Sequence, residues 1–515
     1  MGKEESTGRQ QALHAARTLL LSGIAYVVNY GILLVLTPFI TRTIGAEAYG
    51  FVTLAKEFSQ YATVLTMALN TYAARYIGLS YHKNDLHEAN VYFSSVFWGN
   101  VVLAAGILGA ILIFIRFIDS ILVVSPALLG DVKLLFFYTF VSFGVTTVFS
   151  VFGCAGYISN RMDLVGIYKT ASYVVKALLL VAAYVFFPPR AYYMALGMLA
   201  AALLLGAADF GISRRFLPEL SVSRRYFSLK AVRQLLLNGF WASFNMVGDL
   251  LNSGLDLLVC NQMLTNLEMG QLAIAKTMQT IMQGVYYIVN QTFIPRFLKS
   301  YASDAPGKVI KELKLAMKVS GMLANVIFAG FVALGLAFYK LWIPGQDIAL
   351  IYTLTIITIL TCIPSGPMQP LYYIYTLTLK QKLPCIITVI GGLMNVASMY
   401  LLIKYAGMGV YAVAWTTVAV MCFINFVTNP LYMAHCLHVP WGTFYPDILR
   451  NAISCGVLTL LFKGVTRLYM PAGWLTLILS AMVCAAIGAP LHLLIVCSKE
   501  QRESILGLIR RRSSG

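Results

Sequence analysis

Charge is scarce in this chain. Only 11% of its 515 residues are Asp, Glu, Lys or Arg, and just 20 are acidic. With 59% hydrophobic residues, that is not the composition of a soluble globular domain. No interval between apolar runs is long enough for a soluble domain, which counts against a membrane polymerase or glycosyltransferase, whose acids, metals and sugar sites commonly need an aqueous domain. No G-x-x-x-x-G-K-[ST] loop occurs, so ATP hydrolysis by this chain is not expected. The nine cysteines, Cys154, Cys260, Cys362 and Cys422 among them, show no paired spacing. They read as small buried hydrophobes rather than a disulfide frame or metal centre. His435 and His438 stand near Cys436 without an acidic cluster, so no metal site is assigned. The net charge of +18 has no nucleic-acid motif behind it.

What the chain has instead is apolar runs of membrane-spanning length. They fall near residues 19–40, 48–77, 92–115, 132–154, 166–187, 192–212, 235–263, 270–297, 315–341, 348–379, 384–403, 410–437, 452–468 and 475–496. The expected fold is therefore an all-α polytopic membrane protein of about 14 transmembrane helices. The first run is too long for a signal-peptide core and has no A-x-A-like site after it, so it is read as the first span. If the N-terminus is cytoplasmic and the spans alternate, most of the 38 lysines and arginines fall on the cytoplasmic side. Arg214, Arg215, Arg224, Arg225, Lys230 and Arg233 share one such loop. This positive-inside pattern puts both termini in the cytoplasm, and the surplus charge is expected to attract anionic membrane lipids.

A near-duplication at an offset of 220 residues organises the runs. Gly50, Leu54-Ala55-Lys56 and Asn70 are matched by Gly270, Ile274-Ala275-Lys276 and Asn290. The offset lays span one on span seven and span two on span eight. It predicts two six-helix lobes in the same orientation, as a parallel repeat. The expected division is an N-terminal lobe (1–212), a basic cytoplasmic linker (213–232), a C-terminal lobe (233–437), spans thirteen and fourteen (438–497) and a cytoplasmic tail (498–515).

Lysine is costly inside a membrane, and two at matched positions suggest a cationic cleft. Lys56, Gln60, Thr63 and Asn70 share one face of span two; Glu57, adjacent to Lys56, would have to reach around the helix to neutralise it. Span eight carries Lys276, Gln283, Tyr287 and Asn290 at similar spacing. Span seven carries Asn245, Asp249, Asn252 and Asp256 at 4-3-4 spacing, predicting one polar face. That face can be a cavity lining, a packing seam, or a cation site using Asp249 or Asp256. In an antiparallel hairpin Asp256 and Lys276 match in depth to about 2 Å, so Lys276 is read either as an ion-pair partner or as a ligand. Asn29 adds a polar point in span one. Arg42 and Arg75 are read as interfacial anchors or ligands. Pro364, Gly366, Pro367 and Pro370 predict that span ten is broken or kinked.

The string TRTIGAEAYG at 41–50, preceded by Leu36-Thr37-Pro38 and followed by Arg75-Tyr76-Ile77, resembles the opening signature of Wzx-type polysaccharide flippases. These belong to the multidrug/oligosaccharidyl-lipid/polysaccharide (MOP) exporter superfamily. The turn Leu341-Trp342-Ile343-Pro344-Gly345 is similar to an apolar-Gly turn of the same family. The resemblance implies a V-shaped, two-lobed transporter of the bacterial inner membrane. It would move a polyprenyl-pyrophosphate-linked oligosaccharide to the outer leaflet by alternating access, for polysaccharides of the O-antigen or capsule kind. Glycan polymerase and glycosyltransferases would be its partners. No cofactor is implied beyond a coupling Na⁺ or H⁺. The substrate-binding set becomes Lys56, Lys276, Asn29, Gln60, Asn70, Asn245, Asn252, Gln283, Asn290, Arg42 and Arg75, with Asp249 and Asp256 as ion-coupling candidates. Members that flip the peptidoglycan lipid precursor carry arginines in the first span, and this chain has none between Arg17 and Arg42. The two acids also motivate an alternative, a cation-coupled multidrug exporter of the same superfamily.

Overall fold

A computed structural model describes residues 2–291, 293–302, 306–378, 380–468 and 470–498, and every regular element among them is helical. The basic tail ending in Arg510-Arg511-Arg512 lies outside the described residues. In chain order the helices are α1 (Gly2–Asn70), α2 (Ala73–His82), α3 (Leu86–Arg116), α4 (Ile118–Ile121), α5 (Leu129–Ile158), α6 (Met162–Phe186), α7 (Tyr193–Phe216), α8 (Leu229–Asp249), α9 (Asp256–Met263) and α10 (Asn266–Gln291). They continue as α11 (Ile294–Ala302), α12 (Pro306–Trp342), α13 (Ile348–Leu360), α14 (Cys362–Met368), α15 (Tyr373–Leu377), α16 (Lys382–Ala406), α17 (Val410–Phe423), α18 (Asn429–Cys436), α19 (Tyr445–Leu468) and α20 (Trp474–Val496).

Among the described residues eleven stretches are long and apolar enough to cross a membrane, and one of them, Gly23–His82, holds the first two expected spans. Those two spans share α1, which breaks at Gly45, where φ is 83° and ψ 164°. Glycine is the residue that takes this conformation without a Cβ penalty. Across the break Thr37 and Tyr49 join hydroxyls at 3.3 Å. Spans seven and eight are absent from the eleven, in keeping with the asparagine, aspartate, glutamine and lysine that dilute their hydropathy.

Two compact units emerge. The first is Met1–Leu250 with Cys260–Gly270; the second is Leu251–Val259 with Gln271–Gly515. This division differs from the expected one, since α8 packs with the first unit. The reason is local: α8 meets α1 at Gly239, where a Cβ would stand 1.9 Å from the Ala68 carbonyl oxygen, and Ser243 Oγ donates to Val64 O at 2.7 Å. The segment expected as a linker is also docked. Asn90, Ser94 and Ser95, all buried on α3, bond the backbone of Glu219, Ser221, Ser223 and Ser228. A first-unit core of Ile77, Phe93, Val96, Val151, Ala155 and Leu235 lies beneath.

In the second unit span ten is broken as the prolines require. It runs α13, α14, a 3-10 turn at Gln369–Tyr372 and α15. Pro370 has no N–H to donate to the carbonyl of Gly366, and Ser320 Oγ of α12 donates there at 2.7 Å instead. The segment is packed rather than open, with Pro364, Gly366, Pro367 and Met368 all buried. Spans thirteen and fourteen, expected as an addition, are built into this unit. Asp447 of α19 receives Lys314 at 3.6 Å and Lys318 at 3.3 Å from α12. His492 of α20 bonds Ser454 at 2.9 Å.

Candidate functional site

The repeat-equivalent glycines meet. A Cβ on Gly50 would lie 2.9 Å from Gly270 Cα, and one on Gly270 would lie 2.2 Å from Ala46 O. Alongside, Asn266 Nδ2 donates to Glu47 Oε1 at 3.1 Å. Contact this close requires the missing side chains, so the glycines that head each copy of the duplicated motif have a packing reason. Six residues after Gly50, Lys56 follows the fully buried Leu54 and Ala55 with its own side chain exposed. Among the described residues it makes no ion pair.

Lys276 is held differently. Its ammonium donates to Asp256 Oδ2 at 3.1 Å and to the Ser253 carbonyl at 2.6 Å, with side chains 12% and 7% exposed for lysine and aspartate. The depth match read from the sequence is thus realised as an ion pair. The Ser253 carbonyl is available because span seven does not run as one regular helix. A π-helical turn at Leu250–Gly254 joins α8 to α9. Such a turn adds a residue and rotates the helix beyond it, so the 4-3-4 stripe does not form one face. Asn245 and Asp249 remain together, with Asn245 Nδ2 donating to Asp249 Oδ2 at 3.2 Å, and Asp249 is exposed. Asn252, by contrast, is fully buried: its side-chain amide donates to Thr388 O at 2.7 Å and its backbone carbonyl accepts from Asn395 Nδ2 at 2.8 Å.

Asn70 is likewise engaged within its unit. Asn70 and Asn100 exchange amide bonds at 3.0 and 2.9 Å, and Ser150 Oγ donates to Asn70 Oδ1 at 3.0 Å, pinning α1, α3 and α5 together. Its repeat mate Asn290 has both amide atoms buried with no partner among the described residues, and the Tyr287 side chain lies outside them. Gln60, Gln283, Arg42 and Arg75 are exposed, and Asn29 is partly buried. The candidate set therefore divides into side chains open to a ligand and side chains that hold helices together.

Sequence reasoning missed the buried seam of Asn325, Asn451, Ser454 and His492. Asn325 Nδ2 donates to Asn451 O at 2.8 Å. Gly321 makes room for this seam, since a Cβ there would stand 2.0 Å from Asn451 Oδ1. The available signal was a set of isolated polar residues inside apolar runs, which by itself does not say which helices they join.

The family model described as polysaccharide biosynthesis protein matches residues 15–301. Over 487 residues the chain is 25% identical to the uncharacterized membrane protein EpsK of Bacillus subtilis (strain 168), covering 95% of this chain and 96% of that one. Among solved structures it is similar to the lipid II flippase MurJ in an inward closed conformation, with a TM-score of 0.62 at 16% identity over 94% of this chain and 99% of that one. It is also similar to a multidrug resistance MATE family transporter of the MOP superfamily in an inward-facing conformation, with a TM-score of 0.58 at 15% identity over 80% and 94%. The chain belongs to the polysaccharide biosynthesis protein family, and it is a multi-pass membrane protein with the fold of the MOP flippases and transporters.

Proposed function

We propose that this protein flips a polyprenyl-pyrophosphate-linked oligosaccharide from the inner to the outer leaflet of the bacterial cytoplasmic membrane, by alternating access, in the synthesis of a cell-surface polysaccharide. The observation that carries the reading is Lys56, an exposed lysine inside an apolar helix with no ion pair among the described residues. An ammonium at this depth, with only the neighbouring Glu57 carboxylate acting on it, is costly, and an anionic headgroup repays that cost through charge-assisted hydrogen bonds. The diphosphate supplies that anion. Within the first unit Gln60, Asn29 and Asn245 offer amide groups to sugar hydroxyls, and Arg42 and Arg75 offer further charge. Lys276, Asn70 and Asn252 hold the scaffold. Asp249 is the group proposed to take a coupling Na⁺ or H⁺, since Asp256 is committed to Lys276. Glycosyltransferases would supply the substrate and a polymerase would consume it, for a polysaccharide of the O-antigen or capsule kind.

The test is reconstitution into liposomes with a fluorescent lipid-linked oligosaccharide in both leaflets, followed by reduction of the outward-facing label. The proposal expects protein-dependent loss of the protected fraction and a lower rate with Lys56→Gln at equal incorporation. Export of cationic drugs by the same liposomes, with no movement of the glycolipid, would establish the multidrug alternative instead.

A further inference from the structure

Tyrosines gather at mid-depth in the first unit. The helices α1 and α6 pack side by side and run the same way. Lys169 Nζ of α6 lies 5.6 Å from the centre of the Tyr26 ring of α1, and further along both helices Phe39 meets Tyr184 edge-on at 5.8 Å. Tyr30 stands one turn beyond Tyr26 and Tyr173 one turn beyond Lys169, so these two tyrosines make the next rung of the same interface. The Tyr26 and Tyr30 rings are nearly parallel, 20° apart with centres 6.3 Å apart. Lys169 is already engaged on both sides, by the Tyr26 ring and by the Asp209 carboxylate of α7 that acts on it.

Helix packing does not use up the Tyr30 and Tyr173 rung. Both residues are half-buried, and among the described residues neither phenol makes a hydrogen bond. Nor do they belong to an interfacial aromatic belt. Tyr173 is the twelfth of the 25 residues of α6, about 17 Å from its first residue, and Tyr30 falls in the middle of the first apolar run, 19–40. A phenol hydroxyl left unmatched in hydrocarbon is costly, so a face that carries two of them at this depth suits a wet cavity and a ligand rather than lipid tails. The ring faces hold negative charge density and attract weakly positive C–H groups. A pyranose presents such C–H groups on its flat side and hydroxyls around its rim. A polyprenyl chain has the C–H groups without the hydroxyls, and a diphosphate has only anionic oxygens, which ring faces repel.

We propose that Tyr30 and Tyr173 form a sugar platform within the first unit, on which a pyranose of the lipid-linked glycan lays its C–H face while its rim hydroxyls bond the two phenols. The inference rests on the flippase reading and adds to it the residues that recognise the sugar apart from its carrier.

The experiment measures binding of three probes to the full-length protein in nanodiscs: undecaprenyl pyrophosphate, the same lipid carrying one N-acetylglucosamine, and tetraphenylphosphonium, an aromatic cation that also suits ring faces. Wild type is expected to hold the glycosylated lipid about tenfold tighter than the bare one, the scale of one or two aromatic contacts. Tyr30→Leu should abolish that preference while leaving affinity for the bare lipid unchanged, and Tyr30→Phe, which keeps the ring, should keep most of it. Tyr173→Leu on the neighbouring helix carries the same expectation and serves where Tyr30→Leu fails to fold. Equal affinity of wild type for the two lipids overturns the inference and leaves the flippase reading intact. A sugar preference that survives both leucine variants overturns it as well, as does an equal loss for both lipids, which marks tyrosines that only hold helices together. Loss of tetraphenylphosphonium binding in Tyr30→Leu with the sugar preference kept assigns the rings to aromatic cations and overturns it too. Failure of wild type to bind either lipid overturns both readings together.

Discussion

Replacing Asp256 by asparagine isolates the buried ion pair that Lys276 of the duplicated motif makes. At 3.1 Å the charges of Asp256 and Lys276 attract by about 5 kcal/mol with an effective dielectric constant near 20. Most of that is offset by the cost of desolvating two ions, so the intact pair is worth far less than its attraction. Removing one partner is another matter. Lys276 would keep its bond to the Ser253 carbonyl but stay buried as an uncompensated cation, and such a change costs about 3–5 kcal/mol. The asparagine amide would also bring donors toward the ammonium, which has no acceptor to offer. Asp256→Asn is therefore expected to lower abundance in the membrane and to bring aggregation in detergent at lower temperature. Lys276→Gln should do similar damage by stranding the carboxylate. The double variant Asp256→Asn with Lys276→Gln should recover all but about 1 kcal/mol, since two neutral amides pair where two charges did. Fluorescence-detected size exclusion on heated, detergent-solubilised samples reads all four proteins side by side. Additive losses in the double variant would refute the reasoning. Normal stability in every variant with failed flipping would show that the pair serves transport rather than the fold.

Other outcomes are expected from packing and topology. Gly270→Ala should destabilise by about 1–3 kcal/mol, because its Cβ would press on the Ala46 carbonyl, and Gly50→Ala should cost less, as its nearest atoms stand 2.9 Å away; thermal unfolding ranks the two. Asn100→Ala should cost about 1–3 kcal/mol by leaving Asn70 and Ser150 without their shared partner, whereas Gln60→Ala on the exposed face of the same motif should leave abundance unchanged on immunoblots. With cytoplasmic termini, a cysteine at Ala127 should react with an impermeant maleimide added outside intact cells and one at Arg225 should not; the opposite labelling would invert the topology. Both positions are exposed, so burial does not decide the result.

The fold was legible because membrane spans advertise themselves. Long apolar runs, a glycine-marked turn and a repeat offset survive in any single sequence, and the ion pair of Asp256 with Lys276 followed from depth arithmetic on a hairpin. The π-turn at Leu250–Gly254 was not legible. Nothing in Leu-Leu-Asn-Ser-Gly marks an extra residue in a turn; the turn is paired with Thr388 and Asn395, which lie more than 130 positions away. One added residue redirects every side chain beyond it, and a stripe counted at 4-3-4 spacing became an exposed pair and a buried pair. Asn70 and Asn29 looked equally suited to a ligand, yet Asn70 meets Asn100 and Ser150 from two other helices. Periodicity tells which side of a helix is polar. Whether that side faces a cavity or a neighbour depends on whether the neighbour brings matching donors and acceptors. In an apolar bundle an unmatched polar group costs more than in water, so these matches decide which asparagines hold helices and which remain exposed.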